Sequence, residues 1–300
     1  MIERLREIFN SVTEGHRAAL EFSALQFNWH AIKDTLPKGD GHPVIFFPGF
    51  MTSDMFTMPL QNRVAERGYK VYGWDRGFNM GFDEETADHL KKRLHEVFKE
   101  NGGQKVTLVG HSLGGVYARE LAREFPHMVR QVITLGTPFG MLDDPAKGAS
   151  QRLKDIYDYF NPTSVHTELS DIGPRGLTPP PVPCTSLYSK DDGVINWKAA
   201  LNPKAPETEN IEVYGSHLGM TFNPLTIAAV IDRLSQKEGE WKPFDRKKYT
   251  RLLYPAGKDA DKGPENPKWK ETKKTRTLFK EDEKKAKAKK PRKPKPPKAA

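Results

Sequence analysis

The stretch Val106-Thr107-Leu108-Val109-Gly110-His111-Ser112-Leu113-Gly114-Gly115-Val116 decides the fold. An unbroken apolar or branched run is followed by a serine between glycines, and a helical apolar spacing begins at Val116. This predicts a strand, a turn of very few residues, and a helix. So abrupt a reversal needs Gly110 and Gly114, where side chains would collide as the chain doubles back. It holds Ser112 in a strained backbone with its hydroxyl presented, beside the positive dipole end of the new helix. A hydroxyl so displayed is a candidate nucleophile, with Gly110, His111 and Gly114 shaping its turn.

The same pattern repeats outward. Short apolar runs at Val44–Phe47, Val71–Trp74, Val132–Leu135, Cys184–Tyr188 and Ile211–Tyr214 read as further strands. Helical periodicity falls at about Pro59 to Arg67, over 83–100, from Val116 to Phe125, and at about Pro224 to Leu234. Strands that alternate with helices and are apolar throughout indicate an α/β fold, a mostly parallel doubly wound sheet covered on both faces. The interval from Thr137 to Pro183 breaks the alternation and predicts a small lid at about 141–182. Residues 2–35 read as two amphipathic helices broken near Gly15, so 1–40 forms a helical segment packed on a core domain of 41–240.

Charge divides the chain. The net +9 comes from 48 Lys and Arg against 39 Asp and Glu, but residues 241–300 hold 22 of those cations and only 8 of the acids. The domain itself is therefore mildly acidic. The tail's Lys/Pro-rich end has too little apolar surface to fold and is expected to be disordered, with 241–255 still able to pack. It suits an anionic partner, a membrane surface or nucleic acid, or serves solubility with no dedicated partner. Its two late aromatics, Trp269 and Phe279, are too sparse for base stacking. The lone Cys184 excludes an intrachain disulfide. With no signal peptide pattern and no transmembrane-length apolar stretch, the reading is a soluble, cytoplasmic protein.

A serine hydroxyl needs a base, and on an elbow of this kind the chain order is serine, acid, histidine. His217 is the histidine beyond the fifth strand, in Gly215-Ser216-His217-Leu218-Gly219. His127 follows the elbow helix too closely, His166 falls in the lid, and His111 points away from where a base must stand. The loop after the fifth strand offers Asp192, favoured by the glycine turn that follows it, and Asp191 as second choice. Either aspartate would also suit a plain turn. An oxyanion needs two backbone N–H groups, here Leu113 and, from Phe47-Pro48-Gly49-Phe50-Met51, Phe50 or secondarily Met51. Met55, Phe56, Met58 and Phe139 would suit an apolar substrate or the core.

FFPGF, GHSLGGVYARELAREFP, VITLGTPFG, YSKDDGVINW and GSHLG occur in that order. Together they resemble the bacterial esterase/lipase branch of the α/β-hydrolase superfamily, near the triacylglycerol lipases and inositol-deacylase-like hydrolases, over about residues 40–235. The resemblance implies an α/β-hydrolase fold and a serine hydrolase that cleaves small-molecule or lipid carboxylic esters without a cofactor or metal. Its catalytic positions carry over to Ser112, His217 and Asp192, with Phe50 and Leu113 at the oxyanion hole. Pro48-Gly49 stands where many lipases have His-Gly, and the basic tail is no family feature. Acyl transfer, thioester or amide cleavage would use the same triad. A reading of another class is a polyanion- or membrane-binding protein on a hydrolase scaffold. Gly73–Gly81 is assigned to the site rim, with no catalytic part.

Overall fold

The computed structural model describes residues 2–139, 177–249 and 253–260. The expected lid therefore lies outside the described residues except for 177–182, as does the tail beyond 260. Six strands, β1 (Pro43–Phe47), β2 (Lys70–Tyr72), β3 (Val106–His111), β4 (Val129–Leu135), β5 (Cys184–Tyr188) and β6 (Thr208–Glu212), form one sheet. Their order is β2-β1-β3-β4-β5-β6 and every pairing is parallel. From β1 the chain first winds outward to β2 and then back to β3, so the winding direction reverses between β1 and β3. In open α/β sheets a crevice opens there, beyond the carboxyl ends of the strands.

The period-2 alternation of each strand feeds two cores. Val44 and Phe46 face Leu25, Trp29 and Ile32 of α1 (Ile2–Ile32), Leu60 and Val64 of α2 (Asp54–Glu66), and α5 (Pro224–Leu234). Ile45 and Phe47 face the other side, against α3 (Glu84–Glu100) and α4 (Leu113–Glu124). Strands β1, β3 and β5 are buried along their whole length, which is why none of them carries an Asp, Glu, Lys or Arg.

Several expected boundaries move. Residues 2–32 form one continuous helix, not a pair broken at Gly15. A glycine inside a helix costs only about 1 kcal/mol relative to alanine, and contacts on both sides of Gly15 hold this one. Helix α2 starts at Asp54, five residues before Pro59, which sits inside it. Strands β2 and β6 lie at the sheet edges, and β6 (TENIE) is largely polar, so only its inner end registers as apolar. Beyond Trp241, Tyr249 is buried, the Tyr254 hydroxyl donates to the Leu225 carbonyl at 2.6 Å, and Lys190 pairs with Asp259. Asn210 also donates to the Ala260 carbonyl at 2.9 Å, so packing continues past 255 to the last described residue.

Candidate active site

Ser112 sits at the carboxyl end of β3 with φ 50° and ψ −123°, a region that non-glycine residues rarely occupy. Its N–H donates to the Leu135 carbonyl at 2.8 Å, tying the elbow to β4. A Cβ on Gly110 would collide with Gly115, and one on Gly114 with the Phe47 carbonyl, so both glycines are required by close backbone approach.

The loops after β5 and β6 reach the same edge. Asp192 Oδ2 and His217 Nδ1 lie 2.7 Å apart, both side chains almost fully buried. The other carboxylate oxygen, Oδ1, accepts the N–H groups of Val194 at 2.9 Å and Ile195 at 2.7 Å. This fixes the carboxylate plane and directs Oδ2 at the ring. Gly136, at the end of β4, forms the floor beneath the pair: a Cβ there would stand 3.0 Å from His217 Nδ1 and 3.1 Å from Asp192 Oδ2. Burial pushes the His217 imidazole down, but Asp192, by charge and hydrogen bond, and then Glu14 outweigh it and raise it above the ordinary histidine value. Asp191 turns the other way. Its carboxylate pairs with Arg6 at 2.6 Å and remains about a third exposed.

His111 lies against His217 without being a base. Its Nε2 is 3.0 Å from the His217 carbonyl oxygen and its ring centroid 4.8 Å from that of His217. Complete burial, followed by the nearby His217 charge, brings its pKa down to about 3, so it stays neutral. The neutral ring then donates from Nε2, while the buried Nδ1 has no partner. Ser112 Oγ makes no hydrogen bond to the His217 ring, a contact that in unliganded sites often tightens only when substrate arrives.

The loop after β1 lies against the elbow: a Cβ on Gly49 would be 3.1 Å from the Ser112 Cβ. The Met51 N–H donates to the Asn79 carbonyl at 2.7 Å, so that amide is already engaged. Leu113 begins α4, and first-turn N–H groups have no intrahelical acceptor. Asn79 is a residue the sequence reading passes over, inside the segment it gives to the rim. Fully buried, it donates from Nδ2 to the Pro48 carbonyl at 2.8 Å and accepts from the Gly81 N–H and the Tyr117 hydroxyl. It thus braces the loop that carries Phe50. Met51, Met55, Met58, Phe78 and Met80 are exposed around these segments, whereas Phe139 is core, buried under the Arg119 guanidinium at 3.8 Å.

Comparison with known proteins agrees with this fold. A family model described as the alpha/beta hydrolase fold matches residues 42–166. The chain has the α/β-hydrolase fold. A triacylglycerol lipase of Pseudarthrobacter phenanthrenivorans is 31% identical over 108 residues, 32% of this chain and 33% of the lipase. The match thus spans about a third of that curated relative's length. Among solved structures, Aspergillus fumigatus lipase B superposes with a TM-score of 0.52 at 17% identity, covering 71% of this chain and 55% of that one. The mature Bacillus licheniformis lipase BlEst2 gives 0.51 at 19%, covering 67% and 94%. At such identities these two structures speak for the fold. Among the described residues, no helix is long and apolar enough to cross a membrane, and no group of three His, Cys, Asp or Glu could hold a metal ion.

Proposed function

We propose that this α/β-hydrolase is a serine ester hydrolase with Ser112 as nucleophile, His217 as base and Asp192 as the acid. The observation that carries the reading is the buried Asp192–His217 hydrogen bond on the same strand edge as a positive-φ serine at a strand-to-helix turn. Ser112 Oγ attacks the ester carbonyl carbon while its proton passes to His217 Nε2. Asp192 holds the imidazole proton on Nδ1 and stabilises the imidazolium that forms. The tetrahedral oxyanion accepts from the Leu113 and Phe50 N–H groups, and one such donor is worth about 10²–10³ in kcat. Collapse returns the proton from His217 to the departing alkoxide and leaves an acyl-Ser112. Water, deprotonated by His217, then releases the acid and restores the serine.

The exposed methionines and Phe78 beside the oxyanion loop support an apolar acyl portion, as in a lipid ester. The test is hydrolysis of short and medium acyl p-nitrophenyl esters together with fluorophosphonate labelling and peptide mapping. Label should fall on Ser112, and Ser112→Ala should abolish labelling and lower the rate at least about a thousandfold. Full activity in the alanine protein would refute the reading.

A further inference from the structure

Helix α1 belongs to no strand-helix-strand unit of the sheet, yet its middle turns run beneath both loops that carry the proposed acid and base. Glu14 stands between them. Its Oε1 accepts the N–H of Leu218 at 2.8 Å and its Oε2 the N–H of Gly193 at 3.1 Å. These are the residues that directly follow His217 and Asp192. Arg17 donates from one guanidinium nitrogen to the Asp191 carbonyl at 2.7 Å, and from another to Glu14 Oε2 and the Asn10 carbonyl, both at 2.8 Å. Glu21 accepts the Ser216 N–H at 2.7 Å and the Asn223 amide at 2.9 Å. The backbone on either side of both residues is therefore held from α1.

The loops dock on this helix at backbone contact. A Cβ on Gly193 would collide with the Asn10 carbonyl and lie 2.7 Å from Glu14 Oε2, and one on Gly219 would collide with the Glu21 carboxylate. Mere adhesion of α1 to the sheet needs no such arrangement, since Leu25, Trp29 and Ile32 already supply an apolar seam. Burying carboxylates is costly, and apolar packing of similar volume is often as stable or more so. What a carboxylate with two backbone donors adds is a fixed distance between two loops.

Resting on the triad reading above, we infer that Glu14 is a positioning residue for that triad, a second carboxylate that sets Asp192 and His217 in register from outside the sheet. His217 is faced by Asp192 from the β5 loop, by Glu14 from α1 and by neutral His111 from the elbow. Glu14 in turn is faced by Arg17 on its own helix and by Asp192 and His217 from the loops. Burial holds the Glu14 carboxyl above its ordinary value, against the Leu218 N–H and the charges of His217 and Arg17. When ionised, Glu14 favours the His217 imidazolium.

The test is Glu14→Gln in the full-length protein, with kcat and KM for p-nitrophenyl butyrate measured across pH beside a thermal melt. Glutamine offers one acceptor and one donor where two N–H groups and a guanidinium converge, so at least one loop is released. A displacement of about 1 Å can cost 10²-fold; we expect kcat to fall tenfold or more with KM within twofold. The acid limb of kcat/KM should also move to lower pH, because a charge that favours the imidazolium is gone. Glu66→Gln is the structural control. Glu66 anchors the same helix through Trp29 Nε1 at 2.6 Å, in the helix's last turns, so its loss should lower the melting temperature and leave the acid limb in place. Arg17→Met, which releases the Asp191 carbonyl, should lower kcat in the same way and carries the test if the glutamine protein does not fold. Wild-type kcat in Glu14→Gln or Arg17→Met overturns the inference, as does a Glu14→Gln loss that Glu66→Gln reproduces with the limb unmoved. Activity in Ser112→Ala would instead overturn the triad reading itself.

Discussion

Replacing Asp192 with asparagine separates the two adjacent aspartates by their chemistry. Asp192 Oδ1 accepts from Val194 and Ile195 at 2.9 and 2.7 Å. An asparagine keeps its carbonyl oxygen on those two donors, since the flipped orientation would set an NH2 group against both. Its amide nitrogen is then forced toward His217 Nδ1, now 2.7 Å from the carboxylate. Two donors cannot share that contact, so the ring moves its proton to Nε2, the atom that must receive the Ser112 proton. The same wrong-tautomer defect in a serine protease lowers kcat about 10⁴-fold, equivalent to about 5.4 kcal/mol at about 1.36 per tenfold. The substitution keeps volume and both backbone hydrogen bonds, so the melting temperature should move by only a few degrees. Asp191→Asn loses a solvent-exposed ion pair to Arg6, worth at most about 1 kcal/mol, and should alter kcat by less than about fivefold. The assay is kcat on p-nitrophenyl butyrate with the rate of fluorophosphonate labelling as a second readout. An Asp192→Asn protein within tenfold of wild type, or a larger loss in Asp191→Asn, would refute the assignment.

Two further outcomes follow from the same geometry. Asn79→Ala should lower both the melting temperature and kcat, the latter about tenfold. It removes the Asn79 side chain from the buried Pro48 carbonyl and Gly81 N–H, at about 1–3 kcal/mol for each group, and loosens the Phe50 loop; a melt and a kcat measurement check it. The acid limb of kcat/KM should be half-maximal above the ordinary histidine value of about 6.5. His217 acts as a base only when neutral, and its neighbours raise its pKa, so protonation disables it at a higher pH than for a free imidazole. A limb centred well below pH 6.5 would contradict the raised value.

What was legible in the sequence was what local physics constrains. The elbow can be read because its demands fall within six residues: a strand, a serine in a left-handed backbone, and glycines at Gly110 and Gly114 that no side chain could replace. The interior strands can be read because both their faces are buried. The edges cannot be placed so well, because β6 needs apolar residues only where it faces the core. Pro59 reads as a helix start, although the helix absorbs it in its second turn. The engagement of the Met51 N–H also depends on Asn79, 28 residues further along the chain, whose carbonyl accepts it. Nothing within the Pro48–Met51 turn signals that contact.

The α1 contacts mark the limit more sharply. Glu14 meets Gly193 and Leu218 across 179 and 204 residues of chain. No spacing rule spans such distances, and a glutamate on a helix looks like any solvated charge. Two kinds of residue nonetheless carry a trace of the contact. Gly193 and Gly219 look like ordinary turn glycines, but they are the places where a Cβ would meet α1. The apparent break at Gly15 has the same origin: the polar residues beside it, Glu14 and Arg17, interrupt an apolar pattern because they face backbone rather than a hydrophobic core. A disrupted periodicity beside buried charge is therefore what a helix shows when it is built to hold loops instead of only filling a core. In this chain, the loops it holds are those of Asp192 and His217.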